Sequence, residues 1–100
     1  MRLTDKIEKV LAQYEEARNC DMTLTYLVWY EYHQDRLKYV DNEWYVKLSD
    51  LKELPREDHV KRHRARLQNE EGKYLPTDPT VIKKRRLHES KWRKELGYDL

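Results

Sequence analysis

The sequence is poor in the residues that define several common classes of protein. It has a single cysteine, Cys20, so an intrachain disulfide and a cysteine-based zinc site are both excluded. It has only two glycines and three prolines in 100 residues, which leaves room for long uninterrupted elements and none for a glycine-rich phosphate loop. No apolar run approaches the length of a membrane span, and Met1-Arg2-Leu3-Thr4 does not open a signal-peptide core. These absences predict a protein made and used in a reducing cytoplasm, with Cys20 as a partly buried filler rather than a nucleophile.

What the chain does have is charge and aromatic rings. Lys and Arg number 21 against 19 Asp and Glu, while eight Tyr and three Trp supply large apolar faces. Disordered chains lack such rings, so one small folded domain spanning 1–100 is expected, its aromatics half-buried with their polar tips in water. The charge is unevenly spread. Residues 1–54 carry 8 Lys and Arg against 11 Asp and Glu, a net charge of −3, whereas residues 55–100 carry 13 against 8, a net of +5. His59, His63 and His88 add to the second half. An acidic support and a basic partner surface suit a polyanion ligand.

Periodicity predicts mostly helix. Ile7, Val10, Leu11 and Tyr14 have helical spacing behind a Thr4 cap, and Ala17–Asp21 ends that helix with Asp21 able to cap the next. Leu24, Leu27, Val28 and Tyr32 form the stripe of a second helix over 22–34. Residues 35–47 allow two readings: a hairpin of Leu37–Val40 and Trp44–Lys47 turning at Asp41-Asn42, or a helix capped by Asp41. Ser49 is a cap for a short helix through Leu54, and Pro55 opens a longer one to Asn69 that stops near Gly72. Lys73–Pro76 then reads as extended. Thr77 or Asp78 caps a last helix with Pro79 in its first turn, apolar contacts from Val81, Ile82, Trp92 and Leu96, and a stop at Gly97.

The chemistry concentrates in Ser49–Asn69, laid out as a short helix, a proline turn and a basic helix. Val60, Arg64 and Leu67 fall on the inner side of that helix with His63 at the margin, so Arg64 must snorkel or pair with an acid. The outer side holds Asp58, Arg62, Ala65, Arg66 and Asn69, with Lys61 at the edge. Arg can bridge guanine O6 and N7, and Asn can pair with adenine N6 and N7, so this face has the side chains of a recognition helix. Arg56 and His59 stand near its start. The cations Lys83, Lys84, Arg85 and Arg86 point all round a helix, so only some of them can grip one phosphate backbone, with Lys91, Arg93 and Lys94 prolonging the track. Lys73 and Tyr74 on the extended piece can act as a small wing against the nucleic-acid backbone, although most Tyr at such a position simply pack.

Other chemistries fit less well. His59 and His63 share a helix face, but Lys61, Arg62 and Arg64 disfavour a dication and Val60 stands where a zinc protease has glutamate. The pairs Glu15/Glu16 and Glu70/Glu71 lie in hydrophilic surroundings, and there is no serine or cysteine triad. No enzyme activity, cofactor or metal is therefore expected. Tyr26, Trp29, Tyr30, Tyr32, Trp44 and Tyr45 exceed what so small a core can hold, and Trp29 and Tyr30 lie off the apolar stripe. Most of these rings are expected in the core, while an exposed patch at Trp29 and Tyr30 would mark a surface for a protein partner or a homodimer.

Ala17-Arg18-Asn19-Cys20-Asp21, Leu54-Pro55 and His63-Arg64-Ala65-Arg66-Leu67-Gln68-Asn69-Glu70-Glu71-Gly72-Lys73-Tyr74-Leu75-Pro76-Thr77 resemble small bacteriophage and prophage proteins of winged-helix or helix-turn-helix type. The resemblance covers roughly residues 15–86. It implies a domain of that type, and with the periodicity above the expected fold is mainly α, with a short β-hairpin at 35–47 as an option and a basic C-terminal helix. It also implies phage origin and DNA binding more than any particular role; a regulator of phage transcription, acting on double-stranded DNA in the bacterial host cytoplasm, is the leading expectation. A phage inhibitor or adaptor docking on a host protein through Trp29 and Tyr30 is the rival expectation.

Overall fold

The computed structural model describes the backbone of residues 1–95 and the side chains of residues 1–87. Within them, four α-helices and one antiparallel hairpin follow each other in the order α1 (Leu3–Gln13), α2 (Asp21–Tyr32), β1 (Leu37–Val40), β2 (Glu43–Val46), α3 (Glu57–Asn69) and α4 (Pro79–Glu95). Short 3₁₀ turns occupy Glu15–Arg18, Gln34–Arg36 and Leu48–Glu53. The chain is mainly α, with the hairpin set between α2 and α3.

The helices form because their apolar residues recur at helical spacing and need each other's cover. In α1, Ile7, Val10 and Leu11 are fully enclosed; in α2, Leu24 and Val28; in α3, Val60 and Leu67. With Ala17 these make one core between α1, α2 and α3, where each large aliphatic contributes about 1.5–3 kcal/mol. The polar residues inside are satisfied. Thr25 Oγ1 donates back to the Asp21 carbonyl at 2.8 Å, and no buried side-chain polar atom among the described residues lacks a partner.

The helix ends differ from expectation in instructive ways. Thr4 does not cap α1: the N-cap is Arg2, and the Thr4 hydroxyl instead reaches the ring of His63 on α3. Asp21 is the first residue of α2, not its cap, because its carboxylate is taken by Arg64. Ser49 is likewise no cap; Leu48–Glu53 is a 3₁₀ helix opening at Lys47, with no buried residue and Leu48 and Leu51 exposed. Leu54 behind it is buried, and α3 begins at Glu57, two residues past Pro55.

Residues 35–47 take the hairpin. Asp41 and Asn42 have φ of 51° and 66°, the left-handed pair of a type I′ turn, and these two residue types tolerate it. The strands pair Val40 with Glu43 and Leu37 with Val46, so the second strand starts one residue earlier than the sequence suggested. After α3, Gly72 turns at φ 64° and the Lys73 amide returns to the Leu67 carbonyl at 3.0 Å. Tyr74 is not extended, since its φ is 51°, and its ring packs on the core. Asp78 caps α4 as expected, accepting from the Thr80 amide at 2.9 Å. Val81 and Ile82 are half-buried. Leu96 and Gly97 lie outside the described residues, as do the side chains of His88, Lys91, Trp92, Arg93 and Lys94.

Candidate nucleic-acid interface

The outer side of α3 follows from what its inner side must cover. Val60, Arg64, Leu67 and Gln68 are buried, which turns Arg62, Arg66 and Asn69 outward as an i, i+4, i+7 stripe about 10 Å long. Lys61 flanks the stripe, and His59 and Arg56 stand exposed toward the helix start. Lys61 and Arg62 have no ion-pair partner among the described residues, and Arg56 lies 3.9 Å from Asp58 in a solvated pair that holds little. Glu57 and Asp58 suit the positive end of the helix dipole. They also repel phosphate there, which shifts the attractive part of the face toward Lys61–Asn69.

His63 sits at the edge of this face. Its Nδ1 is 3.2 Å from Arg66 Nη2 and 3.1 Å from Thr4 Oγ1. A guanidinium can only donate, so Nδ1 accepts and the ring proton belongs on Nε2. Partial burial, then the charges of Arg66 and His59, hold the imidazole below its ordinary pKa, so it is neutral at pH 7. It thereby orients Arg66 without adding charge.

The basic run on α4 divides. Lys83, Lys84 and Arg86 are exposed, whereas Arg85 turns back into the body. Its Nη1 donates to the Arg18 carbonyl at 2.9 Å and to Gln68 Oε1 at 3.2 Å, with Asp21 at 3.9 Å. Burial and neighbouring Arg64 lower its pKa. Arg85 therefore anchors α4 and is not part of the exposed cationic track. Lys73 is only partly available, its ammonium lying 3.8 Å from both Glu8 and Glu71. Tyr74 is packed rather than presented as a wing: its hydroxyl donates to Glu8 at 3.1 Å and its carbonyl accepts from Gln68 at 2.7 Å.

Behind the interface lies a polar network that joins all three later helices. Arg64, 5% exposed, grips both oxygens of Asp21 at 2.8 Å each. Gln68 accepts from Arg64 at 3.4 Å as well as from Arg85. Asn19 adds a second tie between the body and α4, accepting from the Thr77 and Asp78 amides at 2.9 and 3.0 Å. The helix pattern put Arg64 on the inner side with two ways out, snorkelling or an acid, and the structure takes the acid. Gln68 and Arg85 were not, since the one reads as a solvent residue and the other as one cation in a run of four.

The aromatic residues form a separate surface. Trp29 is half-buried and donates its indole N–H to the Pro55 carbonyl at 2.8 Å, so it fastens α2 to the start of α3 and is not the free ring expected. Tyr30 remains exposed and meets Trp44 edge-on at 5.6 Å between centroids; Tyr39 lies 5.0 Å beyond on the same ring. Tyr26, Trp29, Met22 and Leu51 border a groove of about 290 Å³ beside Leu54. Cys20, at the head of α2, is exposed rather than buried, and its thiol pKa is lowered by hydrogen bonds from Thr23. Among the described residues no cluster of three His, Cys, Asp or Glu can hold a metal ion, and no helix is long and apolar enough to cross a membrane. Comparison with protein-family models, curated proteins and solved structures finds no match to this chain.

Proposed function

We propose that the protein binds double-stranded DNA as a phage-type regulator, with α3 laid in the major groove. The observation that carries this reading is the stripe of Arg62, Arg66 and Asn69, flanked by Lys61 and held on a helix whose other side is locked by Arg64 to Asp21. A fixed helix presenting donors in forked geometry has the chemistry of base-edge recognition. Lys83, Lys84 and Arg86 supply phosphate contacts from α4. Binding of a labelled random-sequence duplex and a single strand across a salt titration tests the proposal. Duplex affinity should fall steeply with salt, and Arg62→Ala or Arg66→Ala should each cost about 1–3 kcal/mol against a selected site while the fold is retained. Parent-like binding by both variants removes α3 as the reader, and no binding to either nucleic acid at low salt removes the proposal.

The exposed rings favour a second reading, a phage inhibitor or adaptor that docks on a host protein. With Trp29 committed to Pro55, the discriminating positions are Tyr30 and Trp44. Loss of a protein partner on substituting these two, with duplex affinity intact, supports the adaptor.

A further inference from the structure

The hairpin is a two-stranded sheet and so has two open edges, which are not alike. Across its two-residue turn, Val40 and Glu43 form the first hydrogen-bonded pair, and pairs then alternate along the ladder. Lys38 and Tyr45 are again hydrogen-bonded, whereas Tyr39–Trp44 and Leu37–Val46 are not. The backbone N–H and C=O groups of Trp44 and Val46 therefore point outward from β2, and those of Leu37 and Tyr39 outward from β1. Such an edge is a template for another strand.

On β2 the side chains at the edge are complementary to themselves. Glu43, Tyr45 and Lys47 share one face, with Trp44 and Val46 on the other, and Lys47 continues the extended backbone at φ −70° and ψ 142°. A second copy laid antiparallel about a two-fold axis at Tyr45 brings Trp44 opposite the partner's Val46, where both residues can exchange N–H···O bonds. The same register sets Glu43 against the partner's Lys47, and Lys47 against the partner's Glu43, in the close non-hydrogen-bonded positions. Lys47 has no ion pair among the described residues, and Glu43 accepts only the Tyr45 hydroxyl at 2.9 Å. Neighbouring registers fail. Centring on Trp44 runs into Asn42 at φ 66°, and centring on Val46 runs into the 3₁₀ turn at Leu48. The β1 edge is protected, because its corresponding register opposes Lys38 to the partner's Lys38, and like charges directly opposite are destabilising.

We propose that the chain forms a two-fold dimer by antiparallel pairing of β2 with β2 of a second copy, giving a four-stranded sheet centred on Tyr45. The contact is isologous, as a closed two-fold dimer requires. It also covers part of Trp44 and Tyr45, which are 48% and 51% exposed in the single chain.

Sedimentation velocity over a concentration series, without nucleic acid, tests this independently of DNA binding. The parent should pass from monomer to dimer as concentration rises. Lys47→Glu and Glu43→Lys each place like charges at both ends of the interface and should raise the dimer dissociation constant about tenfold or more. The double variant should restore the dimer, with far-UV circular dichroism confirming that each variant is folded. Amide exchange gives a second readout: Trp44 and Val46 should become protected as the dimer fills, while Tyr45 is protected throughout. A parent that stays monomeric to millimolar concentration overturns the proposal. So does a dimer indifferent to the single reversals, or one in which the Trp44 and Val46 amides still exchange freely.

Discussion

At the scale of single residues, the most consequential group is the Asp21 carboxylate. It faces Arg64 directly and Arg85 at longer range, so it balances two guanidiniums that are largely out of water. Removing it leaves those charges uncompensated, which costs more than the ion pair itself contributes. Asp21→Ala should lower the unfolding free energy by about 3–5 kcal/mol in urea titrations. His63 sets a pH dependence of definite sign. Its pKa is lowered in the folded chain, so the unfolded chain takes up the proton first as pH falls through 6.5. Its contribution is thus fully present above pH 6.5 and is lost below, until the folded ring also protonates beside Arg66 and His59. His63→Gln, which keeps an acceptor for Arg66 and Thr4, should flatten the decline of thermal stability below pH 6.5. A decline as steep as the parent's would assign it to His33, whose pKa burial and Lys6 also lower.

At the scale of elements, legibility tracked how one-sided each segment is. α1 shows a clean apolar stripe, and its existence and inward face were plain from spacing alone. Residues 35–47 alternate weakly and carry rings on both faces, so period could not choose between strand and helix; the turn did, because Asp41 and Asn42 accept positive φ. Cap positions were the least readable, since Thr4 and Asp21 have side chains that suit a helix start but found stronger partners on α3. For α4, exposure of Lys83 and Lys84 makes a separable prediction. If both meet phosphates, Lys83→Ala with Lys84→Ala should make the slope of log affinity against log salt shallower by about 0.9 for each phosphate no longer neutralised. Arg85→Ala should instead loosen α4 from the body, read as a fall in unfolding free energy, because its bonds run to Arg18 and Gln68.

At the scale of the whole molecule, the sequence by itself determined a mainly helical chain, a basic second half and an aromatic surplus. These depend on composition and on near-neighbour spacing, which the chain carries whether folded or not. It also placed Arg64 on the inner side of its helix, between Val60 and Leu67, where it had either to snorkel or to pair with an acid. Only the tertiary structure decided that the acid is Asp21, 43 positions earlier, and that Arg85 leaves its neighbours to join the same network. It alone committed Trp29 to Pro55 while leaving Tyr30 and Trp44 in solvent. Such choices are made between residues distant in sequence, where close packing and the cost of an unpaired buried charge select one partner from several of equal chemistry.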